Sequence, residues 1–289
     1  MPAPVFRLAP SPNGKLHLGH AYSALLNSQL ARTLGGKLLL RIEDIDLARS
    51  RPRFIAQIID DLRWLGVEWH GPIRLQSEHF ADYRATAKRL AAGGLLYKCF
   101  ASRAEIEIAA GSSPARDPDG AVLYPGLWRG ADPANTAGRA TAGLPYAWRL
   151  DMARALATLS GPLDFSAFED SGGLLLRSVP AFPEQWGDAV IVRKDTPASY
   201  HLAVVHDDAL QGVTHVVRGA DLEAATSLHR LLQTLLGLPA PIYCHHRLLP
   251  GPDGRKLSKS FNDISLEQLR RGGATPADIR RLTGLPEDG

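Results

Sequence analysis

The sequence predicts an α/β protein: a nucleotide-binding, Rossmann-type parallel sheet split by an insertion and followed by a short helical C-terminal segment. Three observations carry this. Strand-like and helix-like patterns alternate over residues 1–93 and resume over 186–249, the rhythm of βαβ units. The apolar run Lys37-Leu38-Leu39-Leu40-Arg41-Ile42 has the continuous character of a parallel strand covered on both faces. Between the two regions, residues 94–185 hold a stretch over 110–143 that is rich in Gly, Pro, Ala and Asp and nearly aperiodic, as an irregular insertion would be. The expected organisation is therefore 1–93 for the first half of the main domain, 94–185 for the insertion, 186–249 for the second half, and 250–289 for a lysine-bearing loop and helical stub.

Val5-Phe6-Arg7-Leu8-Ala9 reads as the first strand and empties into Pro10-Ser11-Pro12-Asn13-Gly14-Lys15-Leu16-His17-Leu18-Gly19-His20. Pro10 and Pro12 fix the backbone before it turns, and Gly19 removes a side chain where something approaches closely. A helix then begins near His20, with Ala21, Ala24, Leu25, Leu30 and Leu34 at helical spacing and Gly35-Gly36 closing it. The strand at 37–42 ends in Glu43-Asp44-Ile45-Asp46. Ile55, Ile58, Ile59, Leu62 and Leu65 mark an amphipathic helix, and a further helix is expected over 78–92. Ser102-Arg103-Ala104-Glu105 has capping-box form. In the second half, 188–193, 200–205, 214–219 and 242–246 are expected as strands and 222–236 as a helix. Ser265 opens another helix, and Thr275-Pro276 is a cap and first-turn pair for the last.

With 45% hydrophobic and 22% charged residues the chain has an ordinary globular composition, and its net charge of +3 permits a nucleic-acid partner without requiring one. The two cysteines, Cys99 and Cys244, are too far apart in sequence for a CxxC pair and form no disulfide framework. There is no basic-then-apolar leader and no apolar run of membrane-spanning length, so a cytoplasmic protein without a membrane partner is expected.

His17 and His20 stand three apart at a helix N-terminus, where unsatisfied N–H groups and partial positive charge attract phosphate. Read alone they are capping or packing residues. Pro250-Gly251-Pro252-Asp253-Gly254-Arg255-Lys256-Leu257-Ser258-Lys259-Ser260 is a cationic loop, and read alone it is a solvated turn. Arg7 and Arg218 at strand ends can grip a carboxylate or form surface ion pairs. Glu43 is an ammonium partner or a plain strand-end charge. Asp207-Asp208 suits magnesium but equally a solvated turn, and stays outside the catalytic set.

Taken together and in this order, PxPxGxxHxGH near the start and KxSKS near the end resemble the two signatures of class I aminoacyl-tRNA synthetases. Phe6-Arg7-Leu8-Ala9-Pro10-Ser11-Pro12, Leu40-Arg41-Ile42-Glu43-Asp44, Tyr200-His201-Leu202-Ala203-Val204-Val205 and Val217-Arg218-Gly219 resemble the glutamate-specific branch. That resemblance implies an amino-acid pocket lined by Arg7, Ala9, Ser11, Glu43, Tyr200 and Arg218. It also implies an ATP site of His17, Gly19, His20, Lys256 and Lys259, with His17, His20, Lys256 and Lys259 acting on the phosphates and magnesium arriving with ATP. Only about thirty residues follow the KxSKS loop, where the full-length branch continues into an anticodon-reading region. The shortened form resembles the glutamyl-queuosine tRNA(Asp) synthetases, which implies L-glutamate, ATP and tRNA(Asp) carrying queuosine as partners, and a monomer is expected. The branch often carries C-x-C and Y-x3-C zinc ligands in its insertion. Here Cys99 and Tyr124 fit, but Ala101 and Trp128 stand where the other two cysteines would be, so no zinc is expected, and packing by Tyr124, Trp128 and Trp148 should hold the insertion. The alternatives are a short enzyme charging the 3′ end of tRNA(Glu), an inactive tRNA-binding paralogue, and a small-molecule nucleotidyltransferase with the same histidine motif.

Overall fold

A computed structural model describes residues 2–169, 175–250 and 264–285. The chain runs β1 (Val5–Leu8), α1 (Leu18–Thr33), β2 (Lys37–Ile42), α2 (Pro52–Trp64), β3 (Arg74–Leu75), α3 (Phe80–Ala92), β4 (Leu96–Cys99), α4 (Arg103–Ala110), α5 (Pro133–Thr141) and β5 (Ala147–Leu150). It continues through α6 (Met152–Ala157), β6 (Asp164–Ala167), β7 (Arg177–Pro180), β8 (Val190–Val192), α7 (Tyr200–Leu210), β9 (His215–Gly219), α8 (Glu223–Leu236), β10 (Ile242–His246), α9 (Leu266–Arg271) and α10 (Pro276–Thr283). The lysine-bearing segment with Lys256 and Lys259 lies outside the described residues.

The main sheet has the order β3-β2-β1-β9-β10-β6-β7, parallel except where β6 meets β7. A second, antiparallel sheet has the order β4-β5-β8. Membership of the sheets does not follow position in the chain: β6 and β7, within 94–185, extend the main sheet, whereas β8, beyond 185, closes the small one. Apolar side chains of α1, α2, β1 and β2 bury one core, while α3, α7 and α8 bury a second against the small sheet.

The main departure from the sequence reading is at 200–205, expected as a strand and folded as the first half of α7. A short, wholly apolar run is compatible with a buried strand or a buried helix, and periodicity cannot separate them. One local feature marks the helix: the Ser199 hydroxyl accepts from the Leu202 backbone N–H at 3.3 Å as an N-cap, while burial of Leu202, Ala203, Val204 and Val205 on all sides erases the helical period.

The helical form of α7 also corrects the solvated-turn reading of Asp207 and Asp208, which are buried in its last turns. Asp207 accepts from Tyr83 Oη at 2.8 Å, Gln76 Nε2 at 2.9 Å and Arg74 Nε at 2.9 Å. Asp208 Oδ1 accepts from Arg41 Nη1 at 2.8 Å, and Arg7 Nε lies 3.4 Å away. Buried carboxylates are tolerated only with such partners, and stripping the charge leaves the buried arginines uncompensated. Burial and the neighbouring Asp207 charge also hold the Tyr83 hydroxyl protonated far above its ordinary range, so it remains a donor. Asp207→Asn is expected to cost about 3–5 kcal/mol of stability, read by urea unfolding followed through tryptophan fluorescence.

Candidate functional site

β1 pairs with β2 on one side and β9 on the other, so the connections diverge beyond its carboxyl end, where open α/β sheets bind ligands. A cleft of about 550 Å³ opens there. Arg7, Ala9, Ser11, His17, Gly19, His20, Glu43, Tyr200 and Arg218 all line it, so the structure brings together every described residue the sequence singled out. The chain leaves the described part just beyond Leu249 on the cleft wall and re-enters next to Ser265, which is bridged to His17. The Pro-Ser-Pro turn is rigidly held because Pro10 O and Pro12 O accept from the Glu43 and Arg51 backbone N–H groups at 3.0 and 3.2 Å.

On the cleft, α1 begins with a capping box made of imidazoles. His17 Nδ1 accepts from the Gly19 N–H at 3.1 Å, and His20 Nδ1 accepts from the His17 N–H at 3.2 Å. An imidazole accepting through Nδ1 carries its proton on Nε2, so capping itself assigns both rings the Nε2–H donor tautomer. The capping and phosphate-binding readings of these histidines are therefore compatible. Gly19 serves the same arrangement: a Cβ there would stand 3.0 Å from His17 Cε1 and 3.1 Å from Nδ1. The close approach that the glycine permits is the ring of His17.

Arg218, also on the cleft, is buried, with 5% of its surface exposed, and its partners are neutral. Nη2 donates to Thr226 Oγ1 at 2.7 Å, and Nη1 donates to His229 Nδ1 at 3.3 Å and Tyr200 Oη at 3.4 Å. An acceptor Nδ1 places the His229 proton on Nε2, which faces His201 Nδ1 at 3.1 Å. The Thr226 hydroxyl then donates to His245 Nε2 at 2.9 Å. Burial and the adjacent Arg218 charge push His201 and His245 down to about 3 and hold His229 well below its ordinary value, so all three rings stay neutral. Among the described residues, no carboxylate lies within ion-pair distance of Arg218, whereas Arg7, Arg41 and Arg74 each have at least one.

Glu43 lines the same cleft. Arg41 Nη2 approaches its Oε1 at 3.4 Å, yet burial dominates and raises the carboxyl above its ordinary range. Its neighbours Asp44 and Asp46 have plainer roles. Asp44 accepts from the Ser77 N–H and hydroxyl at 2.8 and 2.6 Å, and Asp46 pairs with Arg49 at 2.7 Å. A smaller recess of about 150 Å³ adjoins the cleft, sharing Ser11, Asn13, Glu43 and Tyr200 and adding Arg193 and Thr196.

Sequence reasoning missed the supporting residues: Arg41, Thr226, His229 and His245 hold or flank the pocket groups. The run Tyr243-Cys244-His245-His246 was a signal, since histidines on a buried strand need partners. The four insertion positions compared with zinc ligands do meet in space, as a hydrogen-bonded cluster. Cys99 Sγ donates to Tyr124 Oη at 3.3 Å, and the same oxygen accepts from the Trp128 N–H at 2.8 Å beside buried Ala101. Among the described residues, no group of three or more His, Cys, Asp or Glu side chains is placed to hold a metal. No described helix is long and apolar enough to cross a membrane.

Residues 5–127 and 171–285 match the family model described as tRNA synthetases class I (E and Q), catalytic domain. A protein of Rhodobacter capsulatus named glutamyl-Q tRNA(Asp) synthetase is 46% identical over 97% of this chain and 100% of its own length. A protein of Afipia carboxidovorans named glutamate–tRNA ligase is 39% identical over 96% of this chain but only 55% of its own length. Among solved structures, a glutamate tRNA ligase from Elizabethkingia meningosepticum in complex with its amino acid superposes with a TM-score of 0.77 at 26% identity. That superposition covers 98% of this chain and 60% of the other. A fold that puts the histidine-capped helix, the two arginines and Glu43 on one cleft agrees with these matches: the chain belongs to the catalytic-domain family of the class I glutamyl- and glutaminyl-tRNA synthetases.

Proposed function

We propose that the protein activates L-glutamate with ATP and transfers the glutamyl group to the queuosine base in the anticodon of tRNA(Asp), a cytoplasmic reaction. The observation that carries the first half is Arg218, a buried cation ringed by neutral acceptors and lining the same cleft as Glu43. Such a group attracts an anionic side chain. With Arg7 it supplies charge-assisted hydrogen bonds to a carboxylate, each worth about 1.5–3 kcal/mol, and an amide offers neither arginine a negative charge. Glu43 takes the ammonium group, which leaves the α-carboxylate directed toward the imidazole-capped helix. The higher identity to the relative named glutamyl-Q tRNA(Asp) synthetase than to the one named glutamate–tRNA ligase supports the choice of acceptor.

In this reading the α-carboxylate oxygen attacks the α-phosphorus of ATP in line, the α–β bridging bond breaks, and pyrophosphate leaves. A hydroxyl of the queuosine cyclopentene ring then attacks the glutamyl carbonyl and AMP departs. No protein nucleophile is needed, so catalysis is positioning and charge stabilisation. His17 and His20 donate from Nε2–H to the phosphates at the start of α1, with the helix N-terminus adding its partial charge. Lys256 and Lys259 are assigned to the β and γ phosphates on the sequence motif alone, and magnesium enters with ATP. Domain boundaries at 93, 185 and 249 and a monomeric state belong to the same reading.

The acceptor is tested by offering labelled glutamate to matched tRNA(Asp) with and without queuosine. Transfer is expected only with the modified base and should survive replacement of the 3′-terminal adenosine by 2′,3′-dideoxyadenosine, which removes the 3′-end acceptor hydroxyls and leaves the cyclopentene diol intact. Loss of charging with a blocked 3′ end alone would favour the tRNA(Glu)-type reaction, and absence of ATP–pyrophosphate exchange would favour an inactive paralogue. Glu43 sets a pH dependence. Its ionised form holds the ammonium and its carboxyl is raised, so protonation on acidification removes that partner at a higher pH than for an ordinary carboxylate. The KM for glutamate should therefore climb as pH falls below neutrality toward 5 (about 4.3 is the ordinary Glu value), while Glu43→Gln should be weak but flat over that window.

A further inference from the structure

His229, on α8, is 2% exposed and stands outside the cleft lining, yet it touches the cation that the cleft presents. Three elements pack their polar groups around the Arg218 guanidinium, and every group is neutral. From α8, Thr226 Oγ1 receives Nη2 at 2.7 Å and His229 Nδ1 receives Nη1 at 3.3 Å. From α7, Tyr200 Oη lies 3.4 Å from Nη1. From β10, His245 Nε2 lies 3.5 Å from Nε, and the Tyr243 ring centroid is 5.5 Å from Cζ.

The contact with His229 has a fixed direction. A guanidinium donates and cannot accept, so Nδ1 of His229 carries no proton and Nε2 carries one, which it donates to His201 Nδ1 at 3.1 Å. His201 then holds its own proton on Nε2. Its ring is braced edge-on by Trp186 with centroids 4.8 Å apart, and the Trp186 indole N–H is tied to Ala224 O at 3.3 Å. Two neutral imidazoles thus form a directed chain from α7 through α8 to Arg218. A protonated His229 would have a donor on both nitrogens and face Arg218 with a like charge; burial beside that cation holds the ring neutral.

Position 229 is therefore a place where the pocket's charge could be cancelled and is not. A carboxylate there would hold the guanidinium firmly, as Asp208 holds Arg41 Nη1 at 2.8 Å, but it would also neutralise it. An apolar residue would leave the charge and remove a contact that orients it. We propose that His229 is a specificity-determining positioning residue: a neutral acceptor, its tautomer fixed by His201, that holds Arg218 in place while leaving the full charge for the side-chain carboxylate of the amino acid. This rests on the reading that glutamate is the amino acid activated. It adds to that reading the residue, outside the cleft lining, that separates an acid from its amide.

The test measures kcat and KM separately for L-glutamate and L-glutamine in ATP–pyrophosphate exchange by the whole protein, with thermal unfolding to identify folded variants. His229→Glu is expected to lower the glutamate-over-glutamine ratio of kcat/KM roughly 10- to 150-fold, as loss of one charge-assisted hydrogen bond does. His229→Leu is expected to raise the KM for glutamate about 10-fold, with kcat and the constants for glutamine changed much less. His229→Gln, whose side-chain oxygen accepts from Arg218 and whose nitrogen donates to His201, is expected to restore both the ratio and the KM. A merely structural role would lower exchange with the two amino acids in parallel. That result, or an unchanged ratio in folded His229→Glu or folded His229→Leu, would overturn the proposal; should His229→Glu not fold, His229→Leu and its rescue by His229→Gln decide. Absence of exchange in the unaltered protein would overturn the activation reading and this inference with it, and it is told apart from failure of the inference alone because no substitution is needed to see it.

Discussion

The buried pairing of Asp207 and Asp208 with arginines from the main sheet is the constraint on which the site depends. Removing a carboxylate from water costs several kcal/mol unless charge and hydrogen bonds replace it. The two adjacent acids meet that demand in different directions, Asp207 toward Arg74, Gln76 and Tyr83 and Asp208 toward Arg41 and Arg7. Because they share the end of α7, these contacts fix the helix against β1 and β2. Its first residue, Tyr200, is thereby delivered to the cleft, and Arg41 is left within reach of Glu43.

The distribution of charge follows. Arg7, Arg41 and Arg74 are compensated from within the protein, whereas Arg218 is surrounded by a threonine, a tyrosine and neutral imidazoles. The histidines accept hydrogen bonds without adding negative charge, and their low proton affinity keeps them from adding positive charge. The surplus at Arg218 is thus available to an anionic ligand and insensitive to pH near neutrality. On the same cleft, His17 and His20 turn a helix cap into a pair of Nε2–H donors, so one set of backbone contacts both starts α1 and sets up the donors proposed for phosphate.

Much of this was legible in the sequence, for identifiable reasons. Proline, glycine and histidine at fixed spacing dictated a turn and a helix start, and the polar strand ends at Arg7, Glu43 and Arg218 stood out against apolar runs. The run from Tyr200 to Val205 was misread because burial on all sides erases the helical period. Asp207 and Asp208 could not be told from a solvated turn, since their partners Arg41, Arg74 and Tyr83 lie more than a hundred residues away and only the fold brings them together. The same holds for His229 and His245, whose role is set by contact with Arg218.

The central claim is that Arg218, left uncompensated by the acids that neutralise its neighbours, selects an anionic amino acid. The most direct measurement compares kcat/KM for L-glutamate and L-glutamine in ATP-dependent adenylate formation, for the unaltered protein and for Arg218→Gln. The account predicts a strong preference for glutamate that falls by roughly 10- to 150-fold in the variant, equivalent to one charge-assisted hydrogen bond of about 1.5–3 kcal/mol. A folded Arg218→Gln protein that kept the full preference for glutamate would contradict it.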